Sequence, residues 1–124
     1  MGTQKFLRCR HCGNFVGLVN NGGAPMICCG EPMKELIPNT TDGAGEKHVP
    51  MVTVDGNKVT VQIGSVMHPS LPEHHIEFIY LETENGGQRK NISVGADPIA
   101  EFVLADDKLV AVYEYCNLHG LWKA

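Results

Sequence analysis

Tyr115-Cys116-Asn117-Leu118-His119-Gly120 sets a thiol and an imidazole three residues apart at the end of an apolar run. Both side chains can turn toward one metal ion if the backbone leaves its strand between them. A single cysteine there would read as a small core residue. The reading changes once His48, His68 and His74 are counted, each next to a proline or at a strand edge. Glu46-Lys47-His48-Val49-Pro50 places a carboxylate, an ammonium and an imidazole in consecutive positions. Met67-His68-Pro69 and Glu73-His74-His75 bracket a short loop that brings two imidazoles together. Adjacent histidines in an extended chain rarely both ligate one ion, so His74 is the expected ligand and His75 points outward or packs. Four imidazoles and one thiolate exceed the four ligands of a closed structural zinc site. They also miss the blue-copper set of two His, one Cys and an axial Met, because no Met follows Cys116. Five protein donors suit a square pyramid, with the imidazoles in the plane, Cys116 on the axis and the place opposite sulfur open. That geometry suits iron, and the thiolate donates electron density to whatever binds opposite it.

A second thiol cluster lies earlier in the chain. Cys9-x2-Cys12 has the spacing of a metal knuckle, and its partner pair, Cys28-Cys29, is adjacent. Neighbouring side chains of an extended segment point to opposite sides, so this pair must bend to share an ion and would distort a tetrahedron. A tetrathiolate site suits iron or zinc; iron is the expectation here, with zinc, or a reduced thiol cluster without metal, as the alternative. His11, inside the knuckle, reads as a solvent-facing residue and not as a fifth ligand.

The elements that must hold these residues are short. Residues 1–37 carry four of the five cysteines among many glycines and show no long periodic segment. So few residues bury too little apolar surface to fold alone, and a bound metal would be the staple. Pro38 to Gly45 reads as a polar linker, and a second domain is expected over 38–124. There Val59, Val61 and Ile63 alternate with Thr60 and Gln62, after a hairpin signal at Asp55-Gly56. Ile76 to Leu81 reads as a well-buried strand, and Glu84-Asn85-Gly86-Gly87 as a turn. Further strands are expected at 88–94, 99–104 and 108–115. Helix is a minor ingredient, and the pattern as a whole is an all-β chain ending in an antiparallel sandwich.

Composition removes other classes. A net charge of −4 gives no support to nucleic-acid binding. The charge is uneven, +2 over residues 1–37 and −6 over 38–124. No stretch approaches the roughly 18–20 apolar residues of a membrane span, and Met1 to Arg10 lacks the apolar segment of a secretory signal. A soluble, cytoplasmic protein is expected. Five cysteines without such a signal argue for thiolate chemistry over a disulfide framework.

Taken together these motifs resemble desulfoferrodoxin, the family of two-iron superoxide reductases, over nearly the whole length. Cys9-x2-Cys12 with Cys28-Cys29 is similar to its desulforedoxin-like domain. Glu46-Lys47-His48-Val49-Pro50, His68-Pro69 with His74, and Cys116-Asn117-Leu118-His119-Gly120-x-Trp122-Lys123 are similar to its neelaredoxin-like catalytic domain. Pro72 and His75 depart from the family pattern. The resemblance implies a distorted tetrathiolate iron in the first domain and an immunoglobulin-like sandwich carrying a Fe(His)4Cys centre in the second. It also implies one-electron reduction of superoxide to hydrogen peroxide, with Lys47 beside the site and Glu46 as a ligand of the oxidised metal. A homodimer and a rubredoxin-type electron donor come with it. Three other classes compete: a non-catalytic iron electron carrier, a structural zinc protein, and a dismutase at the same iron.

Overall fold

Phe6 and Phe15 form the small apolar centre of the first part of the chain, their rings 5.8 Å apart across paired strands. Those strands are β1 (Phe6–Arg8) and β2 (Phe15–Gly17), antiparallel. A second ribbon follows, β3 (Ile27–Cys28) against β4 (Glu31–Pro32), and β5 (Lys34–Glu35) returns to pair with the free side of β1. Strands of two or three residues leave no period to read, which is why the sequence showed none. The structure, a computed structural model, describes residues 3–124 and divides into two units, Thr3–Ile37 and Pro38–Ala124.

In the second unit a single helical turn, α1 (Gly45–His48), precedes the hairpin of β6 (Pro50–Asp55) and β7 (Lys58–Ile63). A loop over 64–75 leads to β8 (Ile76–Thr83), which turns at Glu84-Asn85 into β9 (Gly86–Asn91). Then come β10 (Ile99–Val103), β11 (Leu109–Cys116) and β12 (Gly120–Lys123). The strands form two antiparallel sheets, in the orders β10-β7-β6 and β12-β11-β8-β9.

One apolar cluster joins them. Val59, Val61 and Ile63 of β7 and Phe102 of β10 meet Ile76, Ile79 and Leu81 of β8 and Val112 of β11. The period of two in β7 buries all three of its apolar residues completely. Burying side chains of this size stabilises the fold by roughly 1.5–3 kcal/mol each. The all-β sandwich expected from the alternation is what the chain forms.

Some details depart from the sequence reading: Gly86 and Gly87 begin β9 instead of completing the turn, and that strand ends at Asn91. Residues 120–123 form a strand that the sequence did not signal, because Gly120 and Trp122 are not a strand pattern; pairing with the end of β11 makes it one. The register of β11 on β8 also shifts between Tyr115 and Cys116, so that Cys116 lies opposite Ile76. Such a bulge re-aims the side chain beside it. Among the described residues no helix is long and apolar enough to cross a membrane.

Candidate metal centres

In the first unit Cys9, Cys12, Cys28 and Cys29 bring their sulfurs within 4.8 Å of one another. The knuckle is closed by its own backbone: Gly13 N–H donates to Cys9 O at 3.0 Å and Cys9 N–H to Asn14 O at 2.8 Å. Asn14 then serves two sulfurs, its backbone N–H reaching Cys12 Sγ at 3.4 Å and its side-chain amide Cys28 Sγ at 3.5 Å. The adjacent pair does bend. Cys29 has φ 52°, left-handed backbone that side chains rarely adopt, and this swings its sulfur to the same side as that of Cys28. Hydrogen bonding, first to the Cys12 backbone N–H, brings the Cys9 thiol down to about 6. Hydrogen bonds with its neighbours, Cys12 first, drive Cys29 up to about 12. His11 pairs with Glu31 at 3.0 Å, where Arg10 also binds.

The second cluster collects at one end of the sandwich. His48 ends α1, His68 and His74 lie in the loop between β7 and β8, and Cys116 and His119 flank the turn between β11 and β12. Gly120, at φ 83°, closes that turn and lets the chain re-enter the sheet opposite Cys116. The donor atoms of His48, His68, His74 and Cys116 all lie within 4.8 Å of one another. His119 joins them through Nδ1, 3.1 Å from His48 Nε2 and 3.7 Å from Cys116 Sγ.

The four rings form a closed square. Neighbouring centroids are 4.8 Å apart for His48–His68, 4.5 Å for His68–His74, 5.0 Å for His74–His119 and 4.8 Å for His48–His119. Across the diagonal, His48 and His74 are 6.4 Å apart. Cys116 Sγ approaches two opposite corners, at 3.4 Å from His68 Nε2 and 3.7 Å from His119 Nδ1.

What holds each ring decides which nitrogen faces inward. His48 Nδ1 donates to Ala44 O and His68 Nδ1 to Pro69 O, both at 2.7 Å, which leaves Nε2 of each as a bare acceptor. His119 is positioned through its carbonyl, which accepts from Trp122 Nε1 at 3.1 Å and from the Thr41 hydroxyl. Trp122 also stacks on His48, at 4.9 Å and 22°. Gly64 admits the backbone of Glu46 and Lys47, into which any side chain at that position would run. Glu46 O then accepts from Val66 N–H at 2.9 Å, which seats α1 against the end of β7.

Pro72 fits its loop. It is the second residue of the turn closed by His74 N–H to Leu71 O, a position that needs no N–H. His75 turns away and donates from Nδ1 to Leu71 O at 2.9 Å. Glu46 and Lys47 stand exposed immediately before His48.

The donor set fits a cation. Burial lowers the His48 and His74 imidazoles and takes His68 to about 4, so these rings are neutral at pH 7. His74 Nε2 is buried without any hydrogen-bond partner. The bare Nε2 atoms of His48 and His68, converging with His74, His119 and Cys116, are the donor atoms a shared positive ion would take. Burial also pushes the Cys116 thiol up, a group that metal binding would deprotonate.

One neighbour escaped the sequence reading. Glu114 lies fully buried on the core face of β11, between Ile79 and Trp122, and neither carboxylate oxygen has a partner. Burial alone raises it to about 9. Its place in the alternation of β11 was the available signal, since it shares a face with Val112 and Cys116.

Sulfur alone in one centre, nitrogen with a single sulfur in the other, both on an all-β chain: this defines a class of two-site metalloproteins. Residues 40–124 match the family described as desulfoferrodoxin, and residues 2–36 its N-terminal domain. The chain belongs to the desulfoferrodoxin family, and its two donor sets are consistent with the two iron centres of that family. It is 48% identical to the desulfoferrodoxin of Nitratidesulfovibrio vulgaris, over 94% of this chain and 92% of that one. It is 37% identical to a superoxide reductase of Pyrococcus horikoshii, over 73% of this chain and 94% of that one. Among solved structures, the superoxide reductase of Treponema pallidum superimposes with a TM-score of 0.83 at 36% identity, covering 99% of both chains.

Proposed function

We propose that this chain is a superoxide reductase, converting superoxide with one electron and two protons to hydrogen peroxide. The observation that carries the reading is the square of four imidazoles with Cys116 Sγ set against two of its opposite corners. His48, His68, His74, His119 and Cys116 would hold the metal. When bound, iron supplies the single electron of the reaction.

The chain supplies the rest. Lys47, exposed beside His48, offers a positive charge to the approaching anion and to the charge that develops on it. Glu46, its neighbour, would supply a carboxylate to the oxidised metal. Cys9, Cys12, Cys28 and Cys29 of the first unit would hold the second iron of the chain, with zinc as the alternative occupant, in a desulforedoxin-like domain. Re-reduction by a rubredoxin-type donor, a homodimeric assembly and a cytoplasmic location belong to the same reading.

A product count tests it. The reduced protein receives a known amount of superoxide under anaerobic conditions, and peroxide and oxygen are measured together. One peroxide per superoxide, no enzymatic oxygen and an oxidised metal is the expected result. Oxygen at half the superoxide consumed, with turnover in the absence of reductant, would mean a dismutase. No consumption above the buffer control would leave an electron carrier or a zinc protein.

A further inference from the structure

The four imidazoles of the second centre are not held alike. His48 and His68 are fixed by ring hydrogen bonds to the Ala44 and Pro69 carbonyls, and His119 by the tight turn that follows Cys116. No carbonyl holds the His74 ring in this way among the described residues, and its inward Nε2 is buried without a partner. His74 also sits in a loop, outside the sheets, where its own backbone pairs with Leu71, His74 N–H to Leu71 O at 3.1 Å and Leu71 N–H to His74 O at 2.9 Å. Beyond that pair, its orientation depends on the peptide groups on either side of it.

Those groups are gripped by one side chain. Asn117 Oδ1 accepts from His75 N–H at 2.8 Å, and Asn117 Nδ2 donates to Glu73 O at 3.0 Å. The backbone adds a third bond, Asn117 N–H to His75 O at 3.2 Å. A carboxamide presents its oxygen and one N–H side by side on a single edge, so Asn117 brackets His74 with one bond on either side of it. Asn117 itself lies between Cys116 and the turn that carries His119. A single residue thus ties the loop bearing two of the ligands to the turn bearing two others.

We infer that Asn117 is the positioning residue for His74: it touches neither metal nor substrate, and it sets the direction of one imidazole by clamping the Glu73 and His75 peptides. The inference rests on the reading of His74 as a ligand. Aspartate at 117 keeps the acceptor for His75 N–H and loses the donor to Glu73 O. Alanine loses both, while the backbone bond to His75 O survives in either.

The test uses the full chain with iron in both centres. Iron release from the second centre to a chelator is timed in wild type, Asn117→Ala, Asn117→Asp, His74→Ala and the double variant His74→Ala/Asn117→Ala. Hydrogen-exchange protection of β8 and β11 reports throughout that the unit carrying the second centre remains folded. Loss of a group that orients a metal ligand typically weakens binding about 10–100-fold. Release should accelerate by that order in Asn117→Ala and by less in Asn117→Asp, with a changed ligand-field spectrum at the second centre. In the His74→Ala background, Asn117→Ala should add almost nothing, because its target is gone. A full additional effect in the double variant, or wild-type release from Asn117→Ala, would overturn the inference. A His74→Ala protein with unchanged release and spectrum would instead remove His74 from the ligand set, and the inference would fall with that reading.

Discussion

Lys47 carries its charge at the rim of the second centre, one residue before His48. After burial and the neighbouring imidazoles, its ammonium is among the causes that hold His48 and His74 below the ordinary imidazole range, so its field reaches the rings. The surrounding unit is acidic, which makes a local cation more consequential for an anion that must approach. Lys47→Ala should slow superoxide capture about tenfold at low ionic strength, and the loss should shrink as salt screens the field. The second-order rate, followed over a range of salt, checks this; an unchanged rate at low salt would remove Lys47 from the mechanism. At this scale the sequence was informative where chemistry restricts residue type. Cys116 and the four histidines declared themselves because imidazoles and a thiol so placed have few other uses. Glu114 did not, since a carboxylate in an alternating strand is ordinary until both its neighbours and its lack of partners are known.

Strands were legible in proportion to their length and period. β7 and β8 carry their patterns over six and eight residues, and their buried faces follow from counting. The strands of the first unit and β12 hold two to four residues each, too few for a period, and they exist because turns and partners place them. The shift at Tyr115 and Cys116 also has no local signal, because it is a property of two strands together. Some turns are joined by side chains the sequence could not single out. Asp107 Oδ1 accepts from Asn85 N–H at 3.2 Å and Lys108 N–H at 2.8 Å, linking the β8–β9 turn to the approach to β11. These bonds, with the Thr83 hydroxyl first, hold the Asp107 carboxyl below its ordinary 3.8. A carboxylate whose folded pKa is lowered stabilises fully above its unfolded value, and the contribution is lost as pH falls through the folded one. Asp107→Ala should therefore lower the melting temperature by a few degrees at pH 7, with a difference that narrows below pH ~4. Paired melts across that range measure it, and a gap that stays constant down to pH 2 would show that the carboxylate charge is not involved.

At the scale of the whole molecule the two units draw their stability from different sources. Pro38–Ala124 has an apolar core contributed by both of its sheets, whereas Thr3–Ile37 has Phe6, Phe15 and a buried Cys9. Thirty-odd residues with so little to bury do not offset their conformational entropy, so the four sulfurs and their ion must supply the difference. The left-handed Cys29 points the same way, since an unfavourable backbone conformation persists only where something holds it. The consequence is a separation that hydrogen exchange can read. In the Cys9→Ser/Cys12→Ser variant, with iron supplied to the second centre, the amides of β1 and its partner β2 should lose protection and exchange as an unfolded chain does. Those of β8 and β11 should keep theirs, and the visible band of the second centre should be unchanged. Protected β1 amides without the first metal would mean that Thr3–Ile37 folds on side-chain packing and the tetrathiolate is a passenger. Lost protection in β8 and β11 as well would mean that one cooperative unit spans the chain, and the second core would then be less self-sufficient than its buried valines and isoleucines imply.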